Sequence, residues 1–265
     1  MRVLFLILFI PAFCVAQVTD RYNVVQRPTE NEVTIAWRTS NAEIGTIIYG
    51  LDPFSMINTL SNPTPTNKHA FDITGLDANT LYYYQTSTDG GFLSAVDSFY
   101  TAKPDSLSDV TFLHYGDCGY NNTVQSDIAA LMLAEGADFG VVTGDVDQGD
   151  GSDYDDIFFG VYKDLLKQSC HFTCIGNHDV IYDNGDTYID AYYLPSNNPA
   201  GTERYYSFTW GNTKFVCLDS NIPYTVGSDQ YNWMIDELKC NDRQWLYVFF
   251  HHPPWTNAWD PLYYV

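Results

Sequence analysis

The 265-residue sequence predicts two units of different class, an all-β sandwich followed by a layered α/β unit. Three observations carry this expectation. Residues 18–101 alternate short apolar runs with turn residues and show no helical period, the pattern of a small sandwich. From residue 110 onward, strand-like apolar runs alternate with stretches of helical periodicity, the α/β pattern. Between them, Lys103-Pro104-Asp105-Ser106-Leu107-Ser108 is polar and contains a proline, and reads as a linker. The expected boundaries are 1–16 for a leader, 17–102 for the sandwich, 103–108 for the linker and 109–265 for the α/β unit.

The leader is read from one basic residue in Met1-Arg2, an apolar run over 3–9, and small residues at Cys14-Val15-Ala16 before Gln17. These are the parts of a secretory signal peptide cut after Ala16, and they place the mature chain outside the cell or in a periplasm. The apolar run is too short for a membrane span, and no other segment could supply one. Phe13 argues against lipidation at Cys14. Five of the six cysteines then remain, an odd number that cannot all pair. Cys170 and Cys174 are close enough in sequence to suggest a disulfide, whereas Cys217 lies in an apolar run and reads as a buried thiol. No CxxC pairs with zinc-finger spacing occur.

In the sandwich, the strand candidates are residues 33–37, 46–50, 69–73, 81–86 and 95–101, with a turn at Gly75-Leu76-Asp77. High Tyr and Phe content, 21 and 16 residues, suits such strands. In the second unit the candidates are strands at 110–115, 139–142, 171–175, 215–218 and 245–250, and helices at 125–135, 154–166 and 229–238.

The net charge is −21, and it is uneven. Residues 17–103 carry nine acidic and five basic side chains, whereas residues 104–265 carry 24 and six. Most of this acidity reads as solvated surface. The absence of a basic patch excludes nucleic acid as a binding partner.

Four short runs carry the chemistry: Gly116-Asp117-Cys118-Gly119, Gly144-Asp145, Gly176-Asn177-His178-Asp179 and His251-His252-Pro253-Pro254. Each follows a hydrophobic stretch. Side chains at the ends of buried strands converge in an α/β sheet. Carboxylate, amide and imidazole together suit Mn, Fe or Zn, the donor set for hydrolysing a phosphate ester with two metals. A Gly-Asp pair alone is more often a turn; the four runs in order make the signal. Asp145, Asp147, Asp150, Asp153, Asp155 and Asp156 also form an acidic cluster, but its spacing departs from a calcium loop and lacks the bidentate Glu.

Gly-Asn-His-Asp at 176–179, with Gly-Asp at 116–117 and 144–145 and the segment 215–221, resembles the calcineurin-like metallophosphoesterases. In the first unit, Phe71-Asp72-Ile73-Thr74-Gly75-Leu76 followed by Thr80-Leu81-Tyr82-Tyr83-Tyr84 resembles the late strands of a fibronectin type III domain. Together the two halves resemble purple acid phosphatases. The resemblance implies that Asp117 binds a first metal, that Asp145 bridges two, and that Asn177 and His251 bind the second. It implies that His178 is not a ligand but assists catalysis beside the substrate, with His252 further out. Two divalent or mixed-valence ions (Fe, Zn or Mn) would neutralise the phosphate, acidify a bound water and align it for in-line attack on a small phosphorylated substrate. A secreted acid phosphatase-like hydrolase acting on monoesters is the expectation. The alternatives are a nucleotidase or phosphodiesterase of the same fold, or a catalytically dead secreted binding protein.

Two departures qualify this resemblance. Purple acid phosphatases place a tyrosine three residues after the bridging aspartate; here that position is Gln148, which favours a Zn, Mn or Fe(II) pair over a coloured ferric site. The family's last motif, Gly-His-x-His, is absent after His252, so the frame reads as truncated. Substrate-selecting residues are expected in the loop over 182–204.

Overall fold

The computed structural model describes residues 19–255 apart from residues 90 and 92. The expected leader and the tail beyond residue 255 lie outside the described residues.

The first seven strands are β1 (Thr19–Gln26), β2 (Glu32–Glu43), β3 (Gly45–Gly50), β4 (Asn58–Ser61), β5 (Thr66–Thr74), β6 (Leu81–Thr88) and β7 (Asp97–Tyr100). They form two antiparallel sheets, β1-β2-β5 and β4-β3-β6-β7. β5 shows why: His69, Phe71 and Ile73 are buried while their neighbours are exposed, the two-residue period of a strand with one wet face. Trp37 of β2 stacks on His69 at 4.7 Å and on Phe71 at 5.4 Å between ring centroids. Ile35, Ile47, Tyr84 and Phe99 complete this core. β1 and β4 have no counterpart among the expected strands. Both are edges of their sheets, where pairing with one neighbour sets the strand more than its own composition does.

The second half continues with β8 (Phe112–Tyr115), α1 (Thr123–Glu135), β9 (Phe139–Val142), a π-helical turn (Asp155–Phe159), α2 (Lys163–Leu166), β10 (His171–Thr173), α3 (Asp186–Ala191), β11 (Tyr206–Trp210), β12 (Thr213–Cys217), α4 (Asp229–Lys239) and β13 (Trp245–Phe249). β10, β9 and β8 form a parallel sheet; β12 pairs antiparallel with β11 and parallel with β13. β9 and β10 are buried at every position, as parallel strands covered on both faces must be. The two sheets meet through aromatic rings. Phe139 meets Phe172 and Phe215 edge-on, and Phe208 stacks on both Phe172 and Phe215. Asn122 caps α1 by accepting from the Gln125 amide, and Gly136 ends it in the left-handed region at φ 64°.

The single helix expected over 154–166 is instead a π-helical turn and a separate short helix. Gly160 follows that turn and donates to Asp155 O at 2.7 Å, five residues back. A glycine weakens an α-helix at that point, and Asp155 is held from outside by Arg21. No disulfide joins Cys170 to Cys174; both are free and buried. Residues 101–111, which include the expected linker, lie in no strand or helix. They are nonetheless pinned, Gly211 N donating to Lys103 O and Asn212 N to Leu107 O.

Opposite charges join the first two sheets to the rest. Arg21 of β1 is buried. It bonds Asp155 at 2.5 Å, donates to Ala191 O and lies 3.7 Å from the Phe159 ring centroid. Arg38 reaches Asp190 at 3.1 Å, and Lys68 also pairs with Asp190. Tyr84 donates to Lys167 O at 2.8 Å. Part of the acidity read as solvated surface is therefore bound to cations of the first unit.

Candidate metal centre

β8, β9 and β10 run parallel, so their C-terminal ends deliver the turns carrying Asp117, Asp145 and Asn177 to one edge. β13, parallel to β12, delivers His251. The Asp turns are sharp. Asp117 and Asp145 adopt φ of 52° and 50°, a left-handed conformation that Asp tolerates better than most side chains. They interlock: Asp117 N donates to Gly144 O at 3.0 Å, and Cys118 N to Asp145 O at 3.2 Å. Two glycines permit the approach. A Cβ on Gly144, itself at φ 80°, would meet Gly176 N at 2.7 Å; one on Gly176 would meet Asp145 N at 2.2 Å.

Ligand atoms of Asp117, Asp145 and His251 lie within 4.8 Å of one another. His251 Nδ1 is 2.7 Å from Thr143 O, a carbonyl that can only accept, so Nδ1 carries the proton. In the neutral ring Nε2 then bears a lone pair. It faces Asn177 Oδ1 at 2.9 Å and Asp145 Oδ2 at 3.5 Å. Acceptors facing acceptors are unfavourable without a proton or cation between them. The donor set therefore fits a metal ion, which Asp117, Asp145, Asn177 and His251 would hold through oxygen and imidazole nitrogen.

His178 stands apart from this group. Its backbone N donates to Asp145 Oδ1 at 2.9 Å, and its Nδ1 donates to Gly149 O at 2.8 Å, leaving Nε2 as the nitrogen able to meet a substrate. His252 Nδ1 bonds the Ser220 hydroxyl at 2.8 Å, and burial lowers its pKa. Gln148 Nε2 lies 3.4 Å from Asp117 Oδ1, so the side chain at that position does face the site. Burial pushes the Cys118 thiol up to about 12, which makes it a neutral thiol rather than a thiolate donor.

The acidic cluster after Asp145 has its own explanation. Asp147 is buried, and its carboxylate accepts from the backbone N–H groups of Gly149, Gly151 and Asp153. It closes a loop with amide donors and needs no cation for that task.

Sequence reasoning gave no role to Asp179. Its side chain is wholly buried and accepts from Asp145 N, Gly176 N, Asp147 N and the Tyr154 hydroxyl. Burial pushes its carboxyl up to about 6, with Asp145 adding to the rise and the Gly176 amide opposing it. The available signal was an acidic residue directly after Asn177-His178 with no basic residue nearby in sequence. Asn221 was also missed; its Nδ2 donates to Ile175 O and Gly176 O and supports the Asn177 turn from behind.

Comparison with known proteins agrees with this architecture. The sequence profile of the family described as calcineurin-like phosphoesterase matches residues 110–264. Purple acid phosphatase 18 of Arabidopsis thaliana is 26% identical over 193 residues, covering 69% of this chain and 42% of that protein. Phosphoenolpyruvate phosphatase of Allium cepa is 25% identical, covering 80% of this chain and 49% of that protein. Among solved structures, a purple acid phosphatase isolated from yellow lupin (Lupinus luteus) seeds superposes with a TM-score of 0.72 at 18% identity, covering 87% of this chain and 50% of that one. The chain thus spans about half the length of the curated relatives it matches. With the profile extending over more than half of its residues and the strand-end turns arranged as described, the chain belongs to the calcineurin-like phosphoesterase family.

Proposed function

We propose that this chain is the part of a secreted phosphatase that holds most of a two-metal centre, and that the whole protein hydrolyses phosphate monoesters. One observation carries the reading: ligand atoms of Asp117, Asp145 and His251 converge within 4.8 Å, and Asn177 Oδ1 lies 2.9 Å from His251 Nε2. The printed names of the relatives, purple acid phosphatases and a phosphoenolpyruvate phosphatase, support a phosphoester substrate. Nucleotides and phosphodiesters are the neighbouring substrate classes. Gln148 in place of a tyrosine supports Zn, Mn or Fe(II). We divide the chain at 103–108, with a fibronectin-like unit before it; the antiparallel three- and four-stranded sheets β1–β7 support that division.

Bound cations would supply charge neutralisation of the phosphate and acidification of water. This chain's residues do the rest. Asp145 and Asp117 present carboxylate oxygens from rigid turns. Thr143 O fixes the His251 tautomer so that Nε2 faces the site. His178, held through Nδ1 by Gly149 O, offers Nε2–H in its protonated form to a phosphate or leaving-group oxygen.

Hydrolysis of p-nitrophenyl phosphate by the full-length protein, before and after chelation, tests the reading. We expect activity that chelation removes and Zn, Mn or Fe restores. His178→Ala should leave metal bound and lower turnover by about 100-fold or more. Unchanged turnover would remove His178 from the reaction.

A further inference from the structure

We propose that Asp179 is the positioning residue of the metal centre: its buried carboxylate fastens the Asp145 turn to the Asn177 turn and so sets the distance between two ligands. The inference rests on the metal-centre reading above and names what holds that centre in shape.

The two oxygens divide their work. Oδ2 accepts from Asp145 N at 2.9 Å and from Gly176 N at 2.8 Å, one bond to a ligand residue and one to the residue preceding a ligand. Oδ1 accepts from Asp147 N at 3.3 Å and from the Tyr154 hydroxyl at 3.2 Å. A return bond closes the bracket, His178 N donating to Asp145 Oδ1 at 2.9 Å. The Asn177 turn therefore both accepts from and donates to the Asp145 turn. Asp145 has left-handed backbone geometry at φ 50°, and its own N–H is the group Asp179 captures, so the bond holds a conformation that an unsupported Asp would leave. The Tyr154 hydroxyl is steadied in turn. Tyr154 precedes the π-helical turn whose Asp155 is gripped by Arg21.

Asp147, also buried on backbone amides, closes only its own loop, whereas Asp179 joins two turns through the N–H groups of Asp145 and of Gly176, the residue before Asn177. All four partners here lie on or beside the turns carrying Asp145 and Asn177 or on the adjacent Tyr154. Partners behind metal ligands typically change metal affinity by about 10–100-fold when removed.

The test is Mn2+ binding to the full chain, followed by loss of the free-ion EPR signal, with thermal midpoints measured in parallel. Asp179→Ala, Asp179→Asn and Tyr154→Phe are compared with Ile35→Ala, a core truncation in β2 remote from the site. Asp179→Ala removes all four bonds and should weaken Mn2+ binding by about 30-fold or more. Asp179→Asn keeps its carbonyl on the Asp145 and Gly176 amides but turns a donor toward Asp147 N–H, and should weaken binding by about 5–10-fold. Tyr154→Phe should cost about 3-fold, and Ile35→Ala should lower the midpoint without changing affinity. Unaltered affinity in a folded Asp179→Ala chain overturns the proposal, as does a loss no greater than that of Ile35→Ala at an equal drop in midpoint. If Asp179→Ala does not fold, wild-type affinity in Asp179→Asn overturns it. If the unaltered chain binds no Mn2+, the metal-centre reading fails, and the clamp fails with it.

Discussion

Two acidic clusters in this molecule are built from the same residue type and end in opposite electrostatic states. Where the first sheets meet the second half, Asp155 and Asp190 face Arg21, Arg38 and Lys68, so each carboxylate has its cation within the chain. At the strand ends, Asp117, Asp145, Asn177 and the Nε2 of His251 face one another with no Lys or Arg among the described residues paired to them. The first cluster is finished on folding. On the proposed reading the second is completed by a bound cation, which is how a binding centre differs from a structural contact. An acidic residue therefore acquires its meaning from its partners and not from its frequency. Most of the −21 net charge falls in the second half, yet among the described residues the acidic groups that converge with a histidine on one point are Asp117 and Asp145.

The strongest way to break this comparison is Asp145→Asn. The amide keeps an oxygen for His178 N and gains an N–H that can donate to His251 Nε2, so the metal-free chain should be as stable as before or slightly more so. On the proposed reading Asp145 would be shared between two metals, so activity of the full-length protein should fall by roughly 1000-fold or more. Activity assays beside urea unfolding check both halves; a large loss of stability would show that Asp145 is not in an unpaired acceptor cluster.

Arg21→Met is the mirror experiment. It removes the buried one of the finished cluster's three cations and leaves Asp155 partly unpaired, so it should destabilise the chain by about 1–3 kcal/mol. Metal affinity should stay unchanged, and equilibrium unfolding with metal titration would reveal any departure. A loss of affinity would mean that the interface reaches the centre through Asp155 and Tyr154.

A smaller effect sharpens the picture of what lies between the clusters. His171 of β10 is fully buried against the Tyr115 hydroxyl and Ser169, and burial lowers its pKa to about 3. Because the folded value lies below the unfolded one, the folded chain binds fewer protons in that window. The contribution is fully present above about pH 6.5 and is lost as pH falls toward about 3. Unfolding free energies measured between pH 7 and 4 should show a slope that His171→Asn flattens by at most about 1.4 kcal/mol per pH unit. An unchanged slope would mean that His171 titrates normally.

The sequence made the candidate ligands readable because each follows an apolar strand-like run and carries a side chain that could hold a cation. Asp117, Asp145, Asn177 and His251 fell at strand ends that the structure brings together. Asp179 was not readable in the same way. Its role depends on four donors, three of them backbone amides, and amide direction is set by turns that are invisible in a residue list. The interrupted helix at 154–166 was missed for a related reason. Its periodicity is helical, but the long-range pull of Arg21 on Asp155 and the glycine at position 160 divide it. α3 and β11 escaped because their Tyr- and Ser-containing stretches have little contrast between faces. Charge distribution suggested where the site lies, but pairing across 134 residues, as between Arg21 and Asp155, could not be inferred from it.

The most direct test of the central claim is the metal content of the purified full-length protein, measured by elemental analysis against protein concentration, with Asp145→Asn alongside. We predict between one and two equivalents of Zn, Mn or Fe in the unaltered protein and a clear fall in the variant. Metal below about a tenth of an equivalent that neither reloading with these ions nor the substitution alters would contradict the account, because the facing acceptors would then have no cation to hold.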